Sequence, residues 1–253
     1  EAVIVDWSHL EFHNYDARGS IEAENNGHTE LIQGFQTWSN RPYITELIQG
    51  FQTWSKRPYI TGGNLVGRYY LQQFHFHWDG NDRFGSEHTL DGLHYPLEVH
   101  FVHIRQDLNE TTAQGIADGI AVVHFVHIRQ DLNETTAQGI ADGIAVGEAL
   151  FNLEKVTEDT HNLESRSGVP SYTPGSLLPP DTSTFFRYYG SLTTPPCSEN
   201  VIWTILVQPN YVSEEQLRIL RRHLREDGSL LIDNWRKTQP MNGRTLYLNK
   251  KKP

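Results

Sequence analysis

Two stretches of the chain alternate apolar and polar side chains at period two. Leu71–Trp78 reads LQQFHFHW and Leu97–Ile104 reads LEVHFVHI, both rich in aromatic and β-branched residues. That pattern predicts strands with one face in a core. Val201–Val207 is a compact, largely apolar run suited to a buried strand. Ser213 opens the clearest helix. Its hydroxyl can cap, Gln216 completes a capping box, and Val212 can staple onto Leu217. Leu217, Leu220 and Leu224 then mark one face, with arginines toward the end. Ser165–Asp181 is rich in Pro, Gly and Ser and reads as an ordered surface loop. The pattern is strand-heavy with few helices, so the expected fold is mixed and mainly β, built on a large, mostly antiparallel sheet.

Two tandem repeats interrupt this pattern. Residues 30–45 (ELIQGFQTWSNRPYIT) recur as 46–61 with one change, Asn40 against Lys56. Residues 99–122 (VHFVHIRQDLNETTAQGIADGIAV) recur unchanged as 123–146. Repeat architectures stack several copies. Two unrelated pairs without third copies instead read as local duplications within one domain spanning residues 1–253.

Composition narrows the function. The chain has 253 residues, 37% of them hydrophobic and 21% charged, as folded domains do. A net charge of −10 argues against a nucleic-acid partner, and no apolar run is long enough for a membrane-spanning helix. Cys197 is the only cysteine, so an internal disulfide and a cysteine-rich zinc module are both excluded. The chain opens at Glu1 without a Met or a basic-then-apolar leader, as a mature chain or a fragment does. Histidine is abundant, at 13 residues.

The histidines carry the candidate chemistry. On a strand, His75 and His77 point to one face while Phe74, Phe76 and Trp78 point to the other. Such a pair serves equally as two hydrogen-bonded surface histidines. Downstream, Glu98, His100 and Val102 share a face. A carboxylate two positions before a histidine can accept its distal N–H and fix the tautomer. Three neutral histidines without a fourth protein ligand make an open zinc site of the catalytic kind. The second repeat offers a rival third ligand, His124, whose neighbour two positions back is Val122 rather than a carboxylate. Glu98, two positions before it, favours His100. Ser191–Cys197 (SLTTPPC) supplies two hydroxyls before a rigid Pro-Pro, which by itself is a turn.

Together these segments resemble the α-class carbonic anhydrases. The match runs through NNGH (25–28), QFHFHW (73–78), GSEHT (85–89), LEVHFVH (97–103), SLTTPPC (191–197) and DNWRKTQP (233–240), in the family's order. The resemblance implies a central twisted, mostly antiparallel sheet with short peripheral helices. It implies Zn2+ held by His75, His77 and His100, with Gln73, Glu98 and the Asn234 carbonyl as partners of those ligands. It further implies reversible hydration of carbon dioxide to bicarbonate and a proton by zinc-bound hydroxide. Thr193 would orient that hydroxide and donate to Glu87. Val102, Val122, Leu192 and Trp203 would form the apolar wall for CO2, with Thr194 also at the substrate. Asn26 would order water and His28 would export protons, a task suited to a group titrating near pH 6.5. Sulfonamides and small anions are the expected inhibitors.

The chain also departs from the family pattern. The family's opening segment, with its aromatic cluster, a site tyrosine and a Gln-Ser-Pro stretch, has no counterpart before Glu1. Cys197 stands where extracellular members place a cysteine paired to that segment. With the sequons at Asn109 and Asn133 it implies a secreted glycoprotein. Val123–Ile128 occupies the place of a further buried strand, which would make His124 and His127 core or edge residues. The competing expectation is an acatalytic, carbonic-anhydrase-like binding or matrix protein. Retention of all three ligand histidines favours the enzyme. A zinc or serine hydrolase of another type finds no His-Glu-x-x-His or Gly-x-Ser-x-Gly to support it.

Overall fold

The computed structural model describes residues 2–38, 56–129 and 160–250. Asn133, the copy-two residues 130–146 and the junction of the first repeat at 39–55 lie outside them. Thirteen strands form one sheet among the described residues. In chain order they are β1 (Val3–Val5), β2 (Leu10–His13), β3 (Gly19–Asn25), β4 (Glu30–Gln33), β5 (Tyr59–Gly62), β6 (Tyr69–Trp78) and β7 (Leu97–Arg105). They continue with β8 (Ile120–Arg129), β9 (Arg166–Tyr172), β10 (Phe185–Gly190), β11 (Val201–Leu206), β12 (Asn210–Val212) and β13 (Tyr247–Asn249). Helices α1 (Glu110–Ala113) and α2 (Glu214–Leu220) are short.

The main path across the sheet is β1-β13-β10-β11-β8-β7-β6-β4-β3-β9. Three pairings are parallel, β1 with β13 and β8 with both β11 and β12. The others are antiparallel, as the alternating pattern implied. The site histidines lie on the central β6 and β7, which pair with each other along their length.

A bulge in β6 decides which side chains face the site. Leu71 pairs with His103 and Gln73 with Val102, so Gln72 is the extra residue. Tyr69 and Leu71 therefore join the main core, and after the bulge Phe74, Phe76 and Trp78 take over that role. A bulge re-aims the strand by one position. Gln73, His75 and His77 consequently share the opposite face. On β7, Leu97, Val99 and Phe101 enter the main core, whereas Val102 and Ile104 pack in a second apolar cluster on the site side.

Both repeats contribute strands among the described residues. Copy one supplies β4 and copy two supplies β5, and both pair with β6. β8 runs unbroken across the junction of the second repeat, taking Ile120–Val122 from copy one and Val123–Arg129 from copy two. The expected additional strand from Val123–Ile128 is thus an extension of β8.

Two expectations need correction. Ser165–Asp181 is not all loop, because residues 166–172 form edge strand β9 against β3. An edge strand needs only one row of hydrogen bonds, and Pro170 falls at the register irregularity, where no ladder N–H is required. α2 has the expected capping box, with Ser213 Oγ accepting from Gln216 N–H and Gln216 Oε1 accepting from Ser213 N–H. It ends at Leu220, so Leu224 is not on its face. His223 turns inward instead, its Nε2 2.7 Å from Glu30 Oε2.

Candidate metal centre

Strand pairing assembles the site. His75 stands opposite His100, and His77 opposite Glu98. The donor atoms of His75, His77 and His100 lie within 4.8 Å of one another. Their ring planes cross at 71°, 77° and 50°, so their in-plane lone pairs can converge.

Each ring has one nitrogen already committed. His75 Nδ1 donates to Gln73 Oε1 at 2.9 Å, and His77 Nδ1 donates to the Asn234 carbonyl at 2.8 Å. His100 Nε2 donates to Glu98 Oε1 at 2.5 Å. A carbonyl or carboxylate oxygen only accepts, so these contacts fix the proton of each neutral ring. Burial first, then the neighbouring His77, pushes the His75 and His100 imidazoles below their usual range and keeps them neutral. The remaining nitrogens, Nε2 of His75 and His77 and Nδ1 of His100, therefore present lone pairs. His77 Nε2 and His100 Nδ1 are only 3.1 Å apart. Bonds of 2.0–2.1 Å to a tetrahedral zinc would put such nitrogens about 3.3 Å apart. The donor set fits zinc in type, tautomer and spacing.

A second histidine group does not fit. His88, Glu98, His100 and His124 also bring donor atoms within 4.8 Å. However, the His88 and His124 rings are stacked, 4.1 Å apart at 21°. Nearly parallel stacked rings hold their in-plane lone pairs in separate, nearly parallel planes, so the two do not aim at one ion. Glu98 Oε1 already sits among His88 Nδ1 at 2.9 Å, His100 Nε2 at 2.5 Å and His124 Nδ1 at 3.5 Å. His124 is fully buried opposite His100, with no hydrogen-bond partner for either ring nitrogen. It is the core histidine that the repeat introduced.

Glu98 is the electrostatic anchor. Burial alone would raise its carboxyl, but the neighbouring His124 and His88, with hydrogen bonds from His100 and His88, hold it well below the usual range. Its Oε2 accepts the backbone N–H groups of Glu87 and His88. His88 continues outward to the Tyr188 hydroxyl at 2.6 Å.

The other expected residues have varied surroundings. Val102 and Leu192 pack against Val122 and Trp203 in the second apolar cluster, and the Trp203 ring lies 4.9 Å from His100. Glu87 Oε1 accepts the Arg236 N–H at 2.8 Å, while its buried Oε2, 4.0 Å from His100 Nε2, has no hydrogen-bond partner. No hydrogen bond joins Thr193 to Glu87; both line a cavity of about 620 Å³ with Tyr188, Ser191 and Arg236. Thr194 is exposed, in a turn closed by its carbonyl on Cys197 N–H. The Asn26 side-chain Oδ1 is committed to the turn, accepting from His28 and Thr29 N–H. His28 is exposed at that turn.

The family model for eukaryotic-type carbonic anhydrase matches residues 2–250. The chain belongs to this family. It is 36% identical to putative carbonic anhydrase 5 of Caenorhabditis elegans over 94% of this chain and 68% of that protein. It is 35% identical to putative carbonic anhydrase 3 of the same organism, over 94% and 80%. With carbonic anhydrase 7 of Mus musculus it shares 31% identity over 92% and 78%. Among the described residues, no helix is long and apolar enough to cross a membrane.

Three contributors escaped sequence reasoning. Thr29 Oγ1 donates to the Phe76 carbonyl at 2.6 Å and accepts its N–H at 3.2 Å, clamping the ligand strand. The Asn234 side chain, not only its carbonyl, grips the same strand. His88 bridges Glu98 to Tyr188, and its place inside the GSEHT motif was the one available signal.

Proposed function

We propose that this member of the carbonic anhydrase family is a zinc enzyme that reversibly hydrates carbon dioxide to bicarbonate and a proton. One observation carries the reading: three histidine lone pairs, each fixed by an acceptor on the far side of its ring, converge beside an apolar cluster. His75, His77 and His100 hold the metal. Zinc supplies a nucleophile at neutral pH by lowering the pKa of bound water from 15.7 to about 7, an effect for which carbonic anhydrase is the standard example.

The chain's own residues do the rest. Gln73, Glu98 and the Asn234 carbonyl orient the ligand rings and raise their basicity. Val102, Val122, Leu192 and Trp203 give a nonpolar substrate a nonpolar wall, with Thr194 at its margin. Glu87 offers a buried carboxylate oxygen without a hydrogen bond to a hydroxyl donor, and Thr193 is the hydroxyl on the same cavity wall. Donation from Thr193 to Glu87 would leave the Thr193 oxygen free to accept a hydrogen bond from the site. Asn26 orders water, and His28 passes the released proton to solvent. We assign the protein to the extracellular space on the exposed Asn109 sequon and on Cys197.

Metal content measured beside CO2-hydration rate on the purified chain tests this function. One zinc per chain with a rate far above the uncatalysed one supports it. Stoichiometric zinc with no rate enhancement would make the chain an acatalytic member of its family.

A further inference from the structure

Asn234 touches the ligand strand and the His28 turn at once. Its main-chain carbonyl accepts from His77 Nδ1 at 2.8 Å. Its side-chain Oδ1 accepts the Trp78 N–H at 2.7 Å. Its Nδ2 donates to the Phe76 carbonyl at 2.8 Å and to the His28 carbonyl at 3.0 Å. β4 pairs with β6 at Phe74 and His75, and among the described residues no strand continues that edge of β6 from Phe76 to Trp78, opposite β7. Thr29 and the Asn234 carboxamide take the place of that strand.

The His28 backbone is thereby held at both ends. Asn26 Oδ1 accepts its N–H at 3.0 Å, and Asn234 Nδ2 donates to its carbonyl at 3.0 Å. The ring itself is exposed. An exposed shuttle needs a mobile ring on a fixed base, because proton transfer depends on a repeatable distance to the site.

We propose that the Asn234 carboxamide is a positioning residue, fixing the His28 turn to the strand that carries His77. This rests on the reading of His28 as the proton-exporting group. The two functions of Asn234 are separable. The carbonyl that orients His77 belongs to the main chain and survives substitution, whereas the bond to His28 does not. Loss of the side-chain donor therefore slows proton export and leaves the metal in place.

The test compares the parent with Asn234→Asp, which keeps an acceptor for Trp78 N–H and removes both Nδ2 bonds. Expected are one zinc per chain, a turnover in dilute buffer at least threefold lower, and recovery of the parent rate in concentrated imidazole. Placed on a His28→Ala background, Asn234→Asp should add no further buffer-dependent loss, since residues acting through one step are not additive. The amide order parameter of His28 should fall from the rigid value of about 0.85 toward 0.6. Asn234→Ala repeats the comparison should the aspartate variant fail to fold. A parent-like rate in every buffer together with an unchanged order parameter overturns the proposal. So does a loss that imidazole cannot restore and that persists without His28. If His28→Ala itself matches the parent in dilute buffer, the shuttle reading fails, and the order parameter still decides whether Asn234 fixes the turn.

Discussion

His77 Nε2 faces His100 Nδ1 across 3.1 Å, and in neutral rings neither atom carries a proton. The Asn234 carbonyl and the Glu98 carboxylate have claimed the protons on the opposite nitrogens. Two lone pairs so close repel unless a cation lies beside them. Zinc should therefore stabilise the fold. At a free concentration a thousandfold above Kd the gain is about 4 kcal/mol. For a chain of this size that is a rise in Tm of roughly 8–16 °C. Calorimetry with and without chelator checks it, and His77→Ala should erase the difference. An identical Tm in both conditions would count against the site.

His100 and His124 face one another across β7 and β8 and should respond oppositely to substitution. His100→Ala should cost stoichiometric zinc. His124→Leu should keep it, removing two buried nitrogens that lack a hydrogen bond together with the 3.5 Å contact of Nδ1 with Glu98. An unsatisfied buried polar group costs about 1–3 kcal/mol. Zinc content and urea midpoints separate the pair, and loss of zinc from the leucine variant would reassign the third ligand.

The orphaned Oε2 of Glu87 makes a specific demand. If Thr193 donates to it during turnover, Thr193→Ala should retain zinc and lose about 10²-fold in rate, the effect of removing one oriented hydrogen bond. Glu87→Gln should produce a similar loss, since an amide can offer N–H where an acceptor is needed. Parent-like kinetics in both variants would show that the pair is not coupled.

His103 gives the fold an acid sensitivity separate from the metal. Its ring is buried, 2.5 Å from the Tyr15 hydroxyl, and burial pushes it down to about 3. Above pH 6.5 the ring is neutral folded or unfolded and contributes no pH dependence. Between 6.5 and 3 the unfolded chain takes a proton that the folded chain refuses, so stability falls as pH falls. The slope approaches about 1.4 kcal/mol per pH unit for one such group. Urea unfolding at pH 7.5, 5.5 and 4.5 should show a shallower acid loss in His103→Gln than in the parent. Equal slopes would place the sensitivity elsewhere.

The sequence by itself determined the parts whose information is local. Alternation in QFHFHW and LEVHFVH put His75, His77, Glu98 and His100 on strand faces, and the Ser213–Gln216 capping box is there as read. The donor chemistry of the site was legible because spacing of two along a strand guarantees a shared face. Tertiary structure decided what depends on partners distant in the chain. Pairing of β7 with β8 set His124 beside His100, and ring orientation then separated the two histidine groups, since converging lone pairs make a metal site and stacked rings do not. The bulge at Gln72 and the edge position of β9 defeated simple periodicity, because both arise from pairing rather than composition. The Asn234 carboxamide reaches Phe76 and His28 from more than 150 residues away. No local pattern encodes such a contact, and only the closing of the chain on β6 brings it about.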